Sequence, residues 1–346
     1  MRSIPMVVLA AAALLPTRAA AQEQAREARA AAEGVQSRFI GDWAYVPVTV
    51  VQGPYATSYA SSTTGLGGYT LDIDFDLPPP LDARTRNLDY VALLQRFDGQ
   101  LAFFDRLALR ISLQGEGVIP DTSNSALSVA INGNWAAGGG LLFQLLSSDL
   151  FRLAITADYN FQQRTIVSPL GAIEQARENL ERGLLFTNQD VHRGMAGASF
   201  AIAFTPWLGA VAEAGWEGQW PEATGLFRGR EDTINFVDLA GAVSANAWSQ
   251  RIPLGATLFW RERIPVGSDN PYDFSRQYGG GLFYTGRPYL DVGVEIFLQD
   301  EEQEAGNFLR EASRVYAAPR IRGYFLRTLP ASQARTLRRA PSKSRS

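Results

Sequence analysis

Apolar and polar residues alternate repeatedly along this chain from about residue 66 onward. In RLALRISLQ, leucine and isoleucine take the odd positions, and the even positions carry two arginines, an alanine, a serine and a glutamine. The same period of two runs through FRLAITADYNFQ (151–162), RIPLGATLFWR (251–261) and LDVGVEIFLQ (290–299). A period of two is typical of strands with one apolar and one polar face. The sequence therefore predicts an all-β fold.

The connections between these segments alternate between short turns and long polar stretches. Transmembrane barrels of bacteria have this arrangement, with short periplasmic turns and longer external loops. It predicts a transmembrane antiparallel up-and-down β-barrel of about 12 strands (10–14), with both termini on the periplasmic side. A soluble lipocalin-like or two-sheet β protein is the alternative. The predicted short turns are 104–106, 147–149, 205–208, 249–251 and 286–288, and the long connections are 78–87, 117–125, 163–190, 220–232, 264–274 and 300–313.

The N-terminal residues MRSIPMVVLAAAALLPTRAAAQ predict a secretory signal peptide. Arg2 is basic, an apolar run follows, and small residues precede a cleavage site after Ala21. No later stretch is long and apolar enough for a membrane helix. We therefore expect the mature protein in the outer membrane. The predicted regions are a signal peptide (1–21), a partly disordered periplasmic lead-in (22–65), the barrel (66–327) and a disordered basic tail (328–346).

Composition excludes several kinds of site. The chain has no cysteine and a single histidine, so it predicts no disulfide framework, thiolate metal site or multi-histidine metal centre. Its formal net charge of −3 argues against nucleic-acid binding. We expect no metal and no cofactor.

The segments FFDRLALRISL and FYTGRPYLDVGVEIF, each a turn followed by an alternating strand, add a resemblance to these patterns. Together with the signal peptide, they make the chain similar to channel-type outer-membrane β-barrel proteins of Gram-negative bacteria over about residues 66–327. The resemblance implies a pore, a transporter or a surface scaffold, with outer-membrane lipids and the barrel-assembly machinery as partners. Such barrels usually end on a strand with a terminal aromatic, whereas here Tyr324 and Phe325 precede the basic tail.

Charged residues on the polar faces are the candidate lining of the lumen. In YTLDIDFDL (69–77) the odd positions are apolar and three even positions are aspartates. We expect Tyr69, Leu71, Ile73 and Phe75 to face lipid and the aspartates to face a watery lumen. The predicted lumen-lining residues are Asp72, Asp74, Asp76, Arg106, Arg110, Arg152, Asp158, Glu213, Arg261, Asp291, Glu295, Arg320 and Arg322.

Closure of the barrel requires the first strand, 69–77, to pair with the last, at about 314–327. Arg320 and Arg322 are then expected near Asp72 and Asp74 on one side, and near Asp291 and Glu295 on the other. These charges either form cross-strand pairs or remain separately solvated.

Aromatic residues near the strand ends are expected to form interfacial girdles. The expected girdle residues are Tyr69, Phe103, Tyr159, Phe161, Trp207, Trp216, Trp248, Trp260, Tyr284 and Tyr289.

Three further patterns have ordinary explanations. The aspartates of 69–77 have calcium-loop spacing, but leucine stands where such a loop needs glycine. His192 has no serine within reach, since Ser199 lies seven residues on along the same strand, and we expect no enzymatic activity. The glycines at 138–140 and 279–281 are expected to relieve curvature of the wall.

The functional prediction is passage of a small polar or amphiphilic solute through a charged lumen. The alternative is a non-conducting structural or partner-binding outer-membrane barrel. About twelve strands enclose a narrow bore. A short helix predicted at 168–183, in the longest loop, is either a surface decoration or a lid over this bore.

Overall fold

The structure is a computed structural model. It describes residues 48–75, 86–103, 106–121, 131–148, 150–167, 186–205, 207–221, 233–247, 252–267, 272–287, 289–304 and 308–326. All of them belong to one compact unit, 40–327. The predicted signal peptide, loop helix and basic tail lie outside the described residues, as do most of the lead-in, Asp76 and Trp248.

Twelve strands form one closed antiparallel barrel in which each strand pairs with its sequence neighbours and β1 pairs with β12. This confirms the predicted fold class and strand number. The strands are β1 (Ser58–Phe75), β2 (Arg86–Phe103), β3 (Leu107–Pro120), β4 (Ile131–Ser147), β5 (Phe151–Val167), β6 (Phe186–Thr205), β7 (Leu208–Pro221), β8 (Ile234–Asn246), β9 (Leu254–Val266), β10 (Tyr272–Arg287), β11 (Leu290–Glu304) and β12 (Phe308–Leu326).

The outer face of the barrel is apolar and the inner face is largely polar. Leu258 and Leu282 on the outer face are 72% and 71% exposed, whereas Thr257 and Glu295 on the inner face are buried. Closure of the sheet pairs the backbone groups of every strand on both sides. The hydrocarbon core of a membrane requires this pairing, because it offers no hydrogen-bond partners to backbone groups. An apolar outside and a polar inside are the pattern of a transmembrane β-barrel. Among the described residues, no helix is long and apolar enough to span a membrane.

The two ends of the barrel differ in their connections. At one end, here called the turn side, the connections are 104–106, 148–150, 206–207, 247–253 and 288–289. At the other, the loop side, four connections are long, but 267–271 and 305–307 are shorter than the sequence predicts. Strands β9 to β12 continue into those predicted loops. Within 300–313, for example, Asp300 of β11 faces Ser313 of β12 in the ladder and accepts its hydroxyl at 2.7 Å. Both β1 and β12 reach the turn side, where Ser58 pairs with Leu326.

The barrel begins at Ser58, earlier than the expected residue 66. The stretch SYASSTTGLGG, which is loop-like in sequence, forms the first half of β1. Its ladder partners are β2 on one side and β12 on the other. Gly67 sits so close to β12 that a Cβ there would meet the carbonyl oxygen of Val315. Pairing on both sides therefore outweighs the low strand propensity of small residues.

Aromatic side chains are exposed on the outer face towards both ends, as interfacial girdles require. On the turn side they include Phe103, Phe151, Trp207 and Tyr284, and on the loop side Trp135, Tyr159, Trp216 and Trp220. Tyr69 is an exception to the prediction, because it is buried inside the barrel.

Candidate functional site in the barrel interior

The ten residues that precede β1 lie inside the barrel. This interior segment, residues 48–57 (VTVVQGPYAT), carries no charged side chain. Val48 and Val51 are fully buried, and Tyr55 nearly so. The segment belongs to no strand, so its backbone groups need partners other than a sheet ladder.

Side chains of the barrel wall supply those partners. Both carboxylate oxygens of Glu295 accept the amide of Thr49, at 3.0 and 3.1 Å. One oxygen of Glu213 accepts the amides of Gln52 and Gly53, at 3.1 and 2.9 Å. The carbonyls of Val50 (3.1 Å), Pro54 (3.2 Å), Tyr55 (2.5 Å) and Thr57 (2.9 Å) accept hydrogen bonds from Arg261, Gln144 and, for the last two, Gln100. Five wall side chains, each on a different strand, thus hold the segment.

Two features fix the path of the segment. Gly53 has φ 76°, a left-handed conformation that glycine adopts without a steric penalty. The side-chain oxygen of Gln52 accepts hydrogen bonds from Arg110 at 2.7 Å and from the Tyr59 hydroxyl at 3.1 Å. The segment therefore fills the turn-side half of the lumen in one defined conformation.

A cavity of about 350 Å³ lies on the loop side of this segment. Thr49, Val50 and Gln52 of the segment form part of its lining. The wall around it is rich in charge of both signs. The charged lining residues are Arg96, Asp98, Arg110, Glu116, Asp158, Arg193, Glu213, Glu217, Asp238, Arg261, Arg263, Glu301 and Arg314.

Most of these charges are paired within the wall. The pairs join residues on the same or different strands, so the cavity presents alternating cationic and anionic groups rather than one sign. The ion pairs are Arg96–Asp98 (2.8 Å), Arg110–Asp158 (3.3 Å), Arg261–Asp238 (2.6 Å), Arg263–Glu217 (2.5 Å) and Arg314–Glu116 (3.7 Å).

One further hydrogen bond crosses the interior towards the loop side. The Tyr316 hydroxyl on β12 donates to Glu116 on β3, at 2.5 Å. The guanidinium of Arg314 lies 4.9 Å from the centre of the Tyr69 ring. The wall from β12 to β3 is therefore connected through side chains as well as through its ladder.

Nine of the predicted lumen-lining residues have buried or half-buried side chains on the inner face. They are Arg110, Arg152, Asp158, Glu213, Arg261, Asp291, Glu295, Arg320 and Arg322. Arg106 is exposed in the turn before β3. The side chains of Asp72 and Asp74 lie outside the described residues.

The face assignment of 69–77 was wrong for its first half. Tyr69 and Leu71 are buried inside the barrel instead of facing lipid. The alternation of the aspartates with these apolar residues therefore gives no reason to place the aspartates in the lumen. Alternation alone identifies two faces, but it does not show which one points inward.

The first and last strands pair as expected, but only one of the two expected groups of acidic residues lies beside Arg320 and Arg322. In the ladder between β1 and β12, Arg320 faces Thr63 and Arg322 faces Ser61, whereas Asp72 faces Glu311 and Asp74 faces Leu309. The arginines are therefore far along the strand from the aspartates, because β1 starts at Ser58.

On the side of β11, the expected neighbours are present: Arg320 pairs with Glu295 at 2.6 Å. Asp291 faces Arg322 in the ladder and accepts the Tyr324 hydroxyl at 2.7 Å.

Sequence reasoning missed several charged residues of the interior, including Asp98, Glu116, Glu217, Asp238 and Arg263. Two of them had a detectable signal. Arg263 lies two residues after Arg261, and Glu217 lies four after Glu213, so each shares a strand face with a residue that was identified. The interior segment had no comparable signal, since VPVTVV reads as a strand.

His192 and Ser199 lie on opposite faces of β6. Its Nδ1 lies 2.5 Å from the Tyr159 hydroxyl, and Tyr159 is exposed on the outer face. Ser199 is buried on the inner face. Residues seven apart on a strand point to opposite faces, so these two cannot form a catalytic pair.

Glycines within β4 make room for polar side chains of β5. A Cβ at Gly138 would meet the side chain of Asn160, and one at Gly140 would meet the carboxylate of Asp158. Both neighbours line the cavity. Space for interior side chains therefore accounts for these two glycines, where the sequence suggested relief of curvature.

Comparisons with known proteins identify no family for this chain. No family model matches it, and no curated protein matches it. Among solved structures, a Pseudomonas aeruginosa FadL homologue is 11% identical, with a TM-score of 0.46 and coverage of 84% of this chain and 99% of that chain. The transport unit of the autotransporter AIDA-I from Escherichia coli is 12% identical, with a TM-score of 0.46 and coverage of 78% and 90%. The outer membrane protease OmpT from Escherichia coli is 8% identical, with a TM-score of 0.36 and coverage of 79% and 98%. These three proteins differ in function.

Proposed function

We propose that this protein is an outer-membrane barrel that lets a small polar or amphiphilic solute pass through its charged lumen. The observation that carries the proposal is the cavity of about 350 Å³, lined by charged side chains and closed on the turn side by the interior segment. A signal peptide would deliver the chain across the inner membrane. Outer-membrane lipids and the barrel-assembly machinery are its proposed partners, and no catalytic role is assigned.

Passage requires the interior segment to move, and the way it is held permits this. The strands pair with one another, and the segment takes no part in their ladders. Its polar attachments are hydrogen bonds with wall side chains, each contributing about 0.5–1.5 kcal/mol net, or about 1.5–3 kcal/mol where a charged group takes part. The segment can therefore leave the lumen while the wall stays closed.

The alternative is a non-conducting barrel that serves as a scaffold or binds a partner. The same segment favours it, since a lumen that stays filled on the turn side conducts nothing. A displaceable closure predicts rare openings of the full chain, whereas a permanently non-conducting barrel predicts none.

Conductance in planar lipid bilayers tests the proposal. We expect the full chain to show rare, discrete openings, and a variant lacking residues 48–56 to form steady channels. A full chain that never opens would contradict the displaceable closure. The control is Arg276→Met, which removes one partner of the half-exposed Arg276–Glu262 pair between β10 and β9, away from the segment. This variant should behave as the full chain does. If the deletion variant migrates as a folded barrel in an unboiled gel and still conducts nothing, the non-conducting alternative stands instead.

A further inference from the structure

Resting on the proposed function, we propose that the turn-side half of the lumen is a binding site for an uncharged peptide main chain. Residues 48–57 occupy this site as an intramolecular ligand, and a solute peptide of the same chemistry displaces them. The solute class of the barrel is then short, uncharged peptides.

The wall recognises peptide groups of the segment more than its side chains. Five wall side chains hydrogen-bond to seven main-chain groups. Carboxylates accept the amides of Thr49, Gln52 and Gly53. Arginine and glutamine side chains donate to the carbonyls of Val50, Pro54, Tyr55 and Thr57. Donors and acceptors of the wall are therefore spaced along the lumen to match the main-chain groups of a peptide that bends at a glycine, as this segment does at Gly53.

Two of the charged wall groups that hold the segment, Glu295 and Arg261, are already compensated within the wall, which favours an uncharged occupant beside them. Glu295 already pairs with Arg320, and Arg261 already pairs with Asp238. A charged side chain that entered this region would lose its hydration. The charges of these two pairs already compensate each other and would not compensate the new charge, and burying an uncompensated charge is costly. The segment itself avoids that cost, because none of its ten side chains is charged.

The cavity gives an incoming chain access to the segment. Thr49, Val50 and Gln52 lie at its floor, and their main-chain groups bond to Glu295, Arg261 and Glu213. Of these three side chains, Arg261 and Glu213 line the cavity, so a peptide there can take them over first and reach the buried Glu295 only as the segment withdraws. Stepwise exchange keeps the wall groups hydrogen-bonded throughout. If the segment left before a peptide arrived, these groups would lose their hydrogen bonds to its main chain.

Thiol labelling of the full chain tests displacement. Because the chain has no cysteine, Val51→Cys introduces a single, buried thiol. We expect the acetylated and amidated peptide VTVVQGPYAT to accelerate labelling of this thiol by a maleimide at least tenfold. Asp121→Cys, exposed at the loop-side end of β3, should label rapidly with or without the peptide. The matched control peptide is N-methylated at the amides that correspond to Thr49, Gln52 and Gly53, and it should have no effect.

Binding to the variant that lacks residues 48–56 gives a second, independent measurement. A fluorescent form of the peptide should bind it saturably, and Glu213→Leu should weaken binding at least tenfold, while Glu213→Gln, which keeps an acceptor oxygen, should weaken it less. Equal binding of the N-methylated peptide would overturn the proposal, as would binding of a simple sugar in its place. A deletion variant that conducts but binds no peptide leaves the channel function standing and rejects the peptide site. A deletion variant that binds the peptide but does not conduct supports the peptide-binding site and rejects the channel function.

Discussion

At the scale of single residues, Arg320 and Glu295 form the most deeply buried ion pair described in this barrel. Their side chains are 1% and 0% exposed, and the two charges lie 2.6 Å apart. The Arg276–Glu262 pair at the loop-side rim has a similar distance, 2.8 Å, but its side chains are 52% and 21% exposed. Loss of one partner of a buried pair leaves an uncompensated charge, whereas water replaces a lost partner at the rim.

We therefore expect Arg320→Met to destabilise the barrel strongly. The expected loss is about 3–5 kcal/mol for the buried pair, and less than about 1 kcal/mol for the matched Arg276→Met. The temperature at which each variant loses its compact migration in a detergent gel measures the difference. A similar shift for both variants would show that burial of the pair contributes nothing.

At the scale of strands, the pairing of β1 with β12 decides the register of the closed sheet. Ser62 on β1 faces Ile321 on β12, and Leu66 faces Ala317. The register expected from the sequence instead brought 72–74 beside 320–322. Directly opposed residues on antiparallel strands lie about 4.5–5.5 Å apart at Cα, within the range that a disulfide spans.

Paired cysteines test this register in a chain that contains none of its own. Ser62→Cys with Ile321→Cys should crosslink on mild oxidation and raise the temperature needed to unfold the barrel, because the disulfide joins the first and last strands. Ser62→Cys with Ala317→Cys places the thiols four residues, or about 13 Å, out of register and should remain reduced. Crosslinking of the second pair in preference to the first would contradict the closure.

At the scale of the whole molecule, the outer belt should make the barrel depend on lipid. Leu282 lies well inside β10 and is exposed on the outer face, whereas Leu254 begins β9 at the turn side. An arginine in the middle of such a belt costs about 2–4 kcal/mol, but only about 0–1 kcal/mol near an interface.

Leu282→Arg should therefore refold poorly into lipid vesicles, and Leu254→Arg should refold almost as well as the unaltered chain. Recovery of folded protein, scored by gel migration without boiling, gives the ratio. Equal refolding of both variants would show that Leu282 does not contact the hydrocarbon core.

The sequence alone was sufficient for the class of fold. Period-two alternation in segments such as 106–114 and 290–299, separated by alternating short and long connections, predicted the twelve strands because this periodicity is a local property of each strand. It also placed Arg110, Asp158 and Glu295 on polar faces, since each shares parity with polar neighbours. These inferences need no knowledge of which strand is adjacent to which.

Only the tertiary structure decided where the polar faces point and what fills the lumen. Tyr69 and Leu71 are interior because of how β1 pairs with β2 and β12, and the start of β1 at Ser58 sets the partners of Arg320. The run YVPVTVV (45–51) could be a strand in sequence, yet residues 48–57 lie in the lumen because all ladder positions are occupied by other strands. Their backbone groups then bind Glu213, Arg261 and Glu295, which are distant in sequence and brought together only by closure of the barrel.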